Sequence, residues 1–266
     1  MTVVWPGTEA NLASIGNKAF RLARLLQAGL PVPPFFSVTA LGLDAIGIDE
    51  IEAALQHLHS RGVAVRSSAL EEDHHIASFA GMYVTQLNVT NAEDIKHALQ
   101  KILESVTSPA VVPYRAKHRL GGTAGMAAII QELVNPISSG VLFTRDPLSG
   151  ANQIVVEASW GLGASVVAGL VQPDRWVLSQ SGEIISLKIA NKTAAILPDV
   201  EGGTLERAVE PSQRSVPCLN SDGLQELLCL ALECERLFGE PQDIEWATDS
   251  NRIWLLQSRP ITTISS

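Results

Sequence analysis

Asp243-Ile-Glu-Trp-Ala247 and, after a short turn, Ile253-Trp-Leu-Leu-Gln257-Ser-Arg259-Pro260 read as the two strands of a hairpin, and they carry the residues on which the reading of the chain turns. On alternating strand geometry Gln257 and Arg259 share one face, and the same parity carries Ile253 and Leu255 back toward the turn. Glu245 joins that face if the Thr248-Asp-Ser-Asn251 turn sets the register. A carboxylate beside an amide oxygen is a hard-oxygen pair suited to Mg2+, and a neighbouring guanidinium suits a phosphate. An edge hairpin with a solvated polar face would carry the same three residues.

Working outward, composition removes several classes of function. The chain has 266 residues, 46% of them hydrophobic and 18% charged, with a net charge of -9. That excludes a disordered chain and, with no Lys/Arg run, argues against a nucleic-acid surface. Cys218, Cys229 and Cys234 lie close together, but no histidine or second Cys pair completes a zinc spacing, and an odd count gives no disulfide framework. Reduced, buried thiols are expected. No apolar run reaches the ~18 residues of a membrane helix, and Met-Thr-Val-Val-Trp-Pro lacks the character of a signal peptide. A soluble, cytoplasmic protein of two lobes is the expectation, residues 1–125 forming an N-terminal α/β lobe and 126–266 a C-terminal lobe with a mixed or antiparallel sheet.

Helical spacing of apolar residues predicts helices over Asn17 to Gln27, closed at Gly29 before Pro31-Val-Pro-Pro34, over Ile51 to Leu58, and over Asn91 to Val106 with Thr90 or Asn91 as cap. Phe35 to Thr39 and Val63 to Arg66 read as strands. From Ala127 the pattern changes to short strands, at Ala127 to Gln131, Gly140 to Thr144, Gln153 to Glu157, Arg175 to Leu178 and Ile184 to Lys188, the last two joined by a Ser179 to Glu183 turn. Leu197 to Cys218 reads as a loop or crossing connection. Ser221 to Phe238 is a strong amphipathic helix ended by Gly239.

Gly16-Asn17-Lys18 stands at the start of the first helix, where backbone N–H groups and the helix dipole attract anions and Lys18 adds a full charge. The Walker spacing is absent, and a lysine in the first helical turn is, taken alone, usually just solvated. Val63-Ala-Val-Arg66-Ser67-Ser68 puts an arginine and two hydroxyls at a strand end; pairing with Glu71, Glu72 or Asp73 is the structural alternative. The polar loop that follows, with Ser78 and Gly81 near its end, is of a kind that lies over phosphates. His74 and His75 have no ligand spacing and read as surface residues. Gln131-Glu132-Leu133-Val134, before Asn135-Pro136, offers an apolar lining beside exposed backbone groups able to read a purine edge.

In this order the motifs form one pattern. Gly-x-Lys, Ala-Gly-Leu-Pro-Val-Pro-Pro, Val-Arg-Ser-Ser-Ala, Ala-Ser-Phe-Ala-Gly, Gln-Glu-Leu-Val, Ser-Gly-Val-Leu-Phe-Thr-Arg-Asp-Pro, Ala-Ser-Trp-Gly-Leu-Gly, Asp-Ile-Glu-Trp-Ala and Leu-Leu-Gln-Ser-Arg-Pro-Ile together resemble the ATP-binding domain of the phosphoenolpyruvate synthase and pyruvate phosphate dikinase family, which includes rifampicin phosphotransferases. The resemblance runs from about Gly16 to Thr262. It implies an α+β, ATP-grasp fold of two lobes with the nucleotide site between them. By position it assigns Lys18, Arg66 and Arg259 to the phosphates, as the catalytic cations. It assigns Glu245 and Gln257 to Mg2+, Gln131, Glu132 and Val134 to the adenine, and the Ser78 to Gly81 loop to a cover over the phosphates.

Two residues depart from the family pattern: Asn17 stands where a second glycine is usual, and Ala164 where an acidic residue often follows Trp-Gly-Leu-Gly. None of the six histidines sits in the glycine-rich context of the family's phosphoryl-accepting histidine. The resemblance therefore implies an ATP-dependent phosphotransferase module using ATP and Mg2+, its acceptor being a histidine of a separate phosphohistidine-domain protein or a small molecule. Carboxylate activation of the ATP-grasp ligase type and a non-catalytic nucleotide-binding subunit are the alternatives.

Overall fold

Residue Asn91 has extended backbone, and its side chain accepts a hydrogen bond from the Asp94 amide, satisfying a donor that a helix start leaves open. The helix that follows, Ala92–Ser105, buries Ile95, Ala98, Leu99 and Ile102 along one stripe, as its spacing predicts. The computed structural model describes residues 2–8, 12–69, 84–106, 125–167, 169 and 171–262. They divide into two compact units, Met1–Gln27, Pro33–Leu133 and Val200–Gly203 forming one, and Ala28–Val32, Val134–Asp199 and Thr204–Ser266 the other.

The first unit contains, in chain order, β1 (Val3–Val4), α1 (Leu12–Gln27), β2 (Phe35–Val38), α2 (Ile48–Leu55), β3 (Val63–Ala69), β4 (Thr85–Val89), α3 (Ala92–Ser105) and β5 (Met126–Glu132). Its strands form one antiparallel sheet in the order β1-β2-β5-β3-β4. One face meets α2 and α3 in a core built on Phe36, Val38, Val65, Ala128, Ile130, Ile51, Leu99 and Ile102. Helix α1 packs on β3 and β5. The sequence expectation placed the boundary at 125/126; β5 is instead the middle strand of this sheet, and the units divide after Leu133. A central strand covered on both sides is apolar on both faces, so Met126-Ala-Ala-Ile-Ile lacks the alternation that would tell which sheet it joins.

The second unit contains β6 (Ser138–Phe143), β7 (Ile154–Trp160), α4 (Ala164–Val167), β8 (Asp174–Leu178), β9 (Ile184–Lys188), β10 (Ala194–Pro198), β11 (Thr204–Ala208), α5 (Ser221–Phe238), β12 (Gln242–Thr248) and β13 (Ile253–Pro260). Six strands form a sheet in the order β13-β12-β6-β7-β8-β9, antiparallel at every pairing. Helix α5 packs on β12 and β13. It is capped by the Asn220 side chain on the Gly223 amide and closed by Gly239 at φ 72°, a left-handed conformation that glycine adopts without strain.

Two sequence expectations change here. Leu197 to Cys218 is not a loop: β10 and β11 pair as a hairpin whose turn places Gly202 and Gly203 at positive φ, followed by a 3-10 turn at Pro211–Gln213. The strand Thr204–Ala208 is largely exposed on both faces, so it carries no hydrophobic alternation to read. Helix α1 runs from its break at Gly16 to Gln27 as the spacing predicts, with residues 12–15 adding a turn before the break, while Cys229 is exposed, whereas Cys218 and Cys234 are buried. Among the described residues no helix is long and apolar enough to cross a membrane.

Deep in the second unit, Lys192 and Asp174 form an ion pair at 2.6 Å with both side chains fully buried. Asp174 also accepts from the Ala190 amide at 2.8 Å and the Cys218 amide at 2.9 Å, and Lys192 donates to the Ala190 carbonyl. The charge is thus fully coordinated, as a buried carboxylate must be. Burial and the neighbouring Asp174 push the Cys218 thiol far above the ordinary range, leaving it an inert thiol.

Candidate functional site

In the second unit the β12–β13 pairing brings the predicted metal and phosphate residues together. Glu245 faces Gln257 directly, and Asp243 faces Arg259, so all four lie on one face of the sheet. The register then shifts: Trp246 faces Leu255, leaving Leu256 as an extra residue, a β-bulge. Parity reverses across that bulge. Ile253 and Leu255, expected on the face of Gln257 and Arg259, lie on the opposite one with Ile244 and Trp246, each at most 2% exposed. Without the extra residue, Gln257 and Arg259 would follow Leu255 into the apolar face.

The Arg259 guanidinium is held by Asp243, through Nε at 2.9 Å and Nη2 at 2.8 Å to one carboxylate oxygen. This partner was not read from the sequence, because counting equally from the turn would pair Asp243 with Ser258, and only the bulge brings Arg259 opposite it. At the turn itself, Asp249 accepts from the amides of Asn251 and Arg252 and from the Trp254 indole at 2.7 Å. Partial burial opposes ionisation of Asp249, but these hydrogen bonds outweigh it and hold the carboxyl below its ordinary value.

The Glu245–Gln257 pair fits a magnesium ion by donor chemistry. Cross-strand partners place their Cβ atoms about 5 Å apart, and Mg2+ takes one or two protein oxygens together with phosphate oxygens and water. An all-protein cage is a different matter: among the described residues no group of three His, Cys, Asp or Glu could hold a metal.

In the first unit, helix α1 breaks at Gly16, with φ 78° and ψ 167°. A Cβ at Gly16 would lie 2.1 Å from the Ser68 carbonyl oxygen, so only glycine permits this approach of α1 to β3. The restarted helix receives its cap from another strand, the Ser68 hydroxyl accepting from the Ala19 amide at 3.1 Å. Lys18, partly exposed, precedes that capped residue. Arg66 is two positions before Ser68 on β3 and therefore on the same face, 8% exposed.

Gln131 faces Ala64, two positions further back along β3, so it shares that face with Arg66 and Ser68. It is 1% exposed, and its Nε2 finds no hydrogen-bond partner among the described residues. Glu132 turns to the other face. Its carboxylate accepts from the His59 amide at 2.5 Å and its own amide donates to the Pro34 carbonyl. Val134, partly exposed, is the first residue of the second unit after β5. Ser78 and Gly81, with His74 and His75, lie outside the described residues. The structure thus assembles Lys18, Arg66, Ser68 and Gln131 on one unit and Glu245, Gln257, Asp243 and Arg259 on the other.

Comparison with known proteins places this geometry. The family "Pyruvate phosphate dikinase, AMP/ATP-binding domain" matches residues 46–266. The prodigiosin synthesizing transferase PigC of Serratia marcescens is 34% identical over 94% of this chain and 32% of its own length. A probable phosphoenolpyruvate synthase of Methanocaldococcus jannaschii is 32% identical over 94% of this chain and 25% of its own. A rifampicin phosphotransferase of a Streptomyces species is 39% identical over 81% of this chain and 26% of its own. The chain therefore spans about a quarter to a third of the length of these relatives. A D-alanine–D-alanine ligase of Bacillus anthracis complexed with ATP overlays at a TM-score of 0.43 with 9% identity, over 92% of this chain and 55% of that one, too slight a likeness to argue from. The matched residues hold both the last strand of the first unit's sheet and the whole Glu245–Arg259 hairpin, and this chain belongs to the family of pyruvate phosphate dikinase AMP/ATP-binding domains, its helices and antiparallel sheets giving the α+β class that the resemblance implied.

Proposed function

We propose that the chain is an ATP-dependent phosphotransferase module that binds Mg-ATP and passes a phosphoryl or pyrophosphoryl group to an acceptor. The acceptor is a histidine of a separate phosphohistidine-domain protein or a small molecule. The observation that carries this reading is the direct facing of Glu245 and Gln257 on the same sheet face as a guanidinium held in place by Asp243. Family membership and relatives named as a phosphoenolpyruvate synthase and a rifampicin phosphotransferase support it.

On this reading Glu245 and Gln257 hold Mg2+, which when bound supplies charge neutralisation at the phosphate oxygens. Lys18, Arg66 and Arg259 hold and neutralise the phosphates, with the Ser78 to Gly81 loop as their cover. Gln131, Glu132 and Val134 take the adenine, the first through its buried amide and the others through backbone groups. Fixed cations aimed at the phosphates favour the charge that spreads over them as the acceptor attacks in line and the bond to the leaving nucleotide breaks.

The test is ATP consumption by the purified chain, alone and with candidate acceptors, with the nucleotide product identified. Acceptor-dependent release of AMP or ADP with a phosphorylated acceptor is the expected result. A carboxylate-dependent acyl phosphate would instead assign ligase-type activation, and tight Mg-ATP binding with no turnover under any acceptor would assign a non-catalytic nucleotide-binding subunit.

A further inference from the structure

The sheet register extends the Glu245–Gln257 pair into a row that crosses all six strands. Gln257 faces Glu245, Glu245 faces Val141, Val141 faces Glu157, Glu157 faces Arg175, and Arg175 faces Lys188. Facing residues share a face, so a second carboxylate and a second guanidinium stand on the face of the metal pair. Strand spacing puts Glu157 about 10 Å from Glu245. Val141, only 9% exposed, is the apolar step between them.

Glu157 and Arg175 meet through a single hydrogen bond, Nε to Oε1 at 3.2 Å, while their side chains remain 32% and 37% exposed. The pair is therefore oriented without being sealed. A ligand for Glu157 has to suit a carboxylate already beside a guanidinium. A second cation would meet that positive charge at close range, whereas hydroxyl groups donate to a carboxylate without adding charge. The separation from Glu245 is comparable to the span of an extended nucleotide from its metal-bound phosphates to its sugar, and a carboxylate accepting from ribose hydroxyls is a recurrent way of reading that sugar.

We propose that Glu157, positioned by Arg175, accepts a hydrogen bond from the ribose 2'-hydroxyl of the nucleotide held at Glu245 and Gln257, and so selects ribonucleotides over 2'-deoxyribonucleotides. This rests on the Mg-ATP reading above. Glu157 is a binding residue, and Arg175 acts through it.

The experiment is paired titration of the full chain with Mg-ATP and Mg-2'-deoxy-ATP, using wild type, Glu157→Gln and Arg175→Gln. Wild type is expected to prefer ATP by about tenfold, the worth of one charge-assisted hydrogen bond. Glu157→Gln is expected to bring that ratio below about threefold, leaving affinity for the deoxynucleotide unchanged, and Arg175→Gln to narrow it less. Equal weakening of both nucleotides in Glu157→Gln, or a ratio untouched by it, overturns the proposal. An unchanged ratio in Arg175→Gln alone removes Arg175 from it. If wild type binds neither nucleotide, the Mg-ATP reading itself fails, a result distinct from binding without ribose selection.

Discussion

Lys192→Met leaves the Asp174 carboxylate buried with its charge and without its cation. In the native unit that carboxylate lies 2.6 Å from the Lys192 ammonium, with both side chains at 0% exposure. Methionine matches the length of the lysine stem but supplies no donor, so the amides of Ala190 and Cys218 are the hydrogen bonds that remain. Removing one partner of such a pair costs about 3–5 kcal/mol, because the remaining charge can neither reach water nor find a counter-ion. Urea unfolding followed by tryptophan fluorescence reports on the correct unit, since Trp160, Trp176, Trp246 and Trp254 lie in the second unit and only Trp5 lies in the first. The midpoint is expected to fall with little change in the denaturant slope. Adding Asp174→Asn to Lys192→Met removes the stranded charge while keeping one amide acceptor, and should recover at least about 1 kcal/mol. A loss below about 1 kcal/mol in Lys192→Met, or a double variant no more stable than the single one, refutes the assignment of a charged buried pair.

Gly16→Ala should destabilise the first unit by about 2–4 kcal/mol, since the positive φ and the 2.1 Å approach to a backbone carbonyl are both penalised; thermal unfolding measures it, and a near-neutral substitution would contradict the close packing of α1 on β3. Because hydrogen bonds lower the Asp249 pKa on folding, this carboxylate contributes stability that is fully present above its unfolded value near 3.8 and is lost as pH falls through the folded value. Asp249→Asn should therefore be less stable than wild type at pH 7 and approach it in acid, and a difference that persists undiminished at low pH would be the contrary result. Arg259→Ala should weaken Mg-ATP binding by at least tenfold, with a smaller loss in Asp243→Asn, where the guanidinium is present but less constrained; equal affinities for all three proteins would separate Arg259 from the phosphates.

The sequence carried the long elements well because their signals are local. Helix α5 announces its apolar stripe and its Gly239 stop, and α3 its Asn91 cap, in residues within a few positions of one another. What it hid was set by distant partners. Leu255-Leu256 gives no sign of which leucine is the bulge; only pairing with Trp246 and Glu245 decides it, and that choice puts Gln257 and Arg259 on the polar face. Strand β5 is apolar on both sides and so did not reveal its sheet, and the exposed β11 did not reveal itself as a strand. Of the site, the residue types and their order were legible. The Ser68 cap on α1, the Asp243 clamp on Arg259 and the row through Glu157 and Arg175 were not, because each joins residues on separate strands or helices.

The most direct measurement is calorimetric titration of Mg-ATP into the purified wild-type chain, repeated with magnesium chelated and with Glu245→Ala combined with Gln257→Ala. The account predicts saturable binding of one nucleotide per chain, much weakened when the metal is removed or the facing pair is lost, with the double variant still folded. A folded wild-type chain that takes up no Mg-ATP at millimolar nucleotide, or binds it equally well without Glu245 and Gln257, would contradict it.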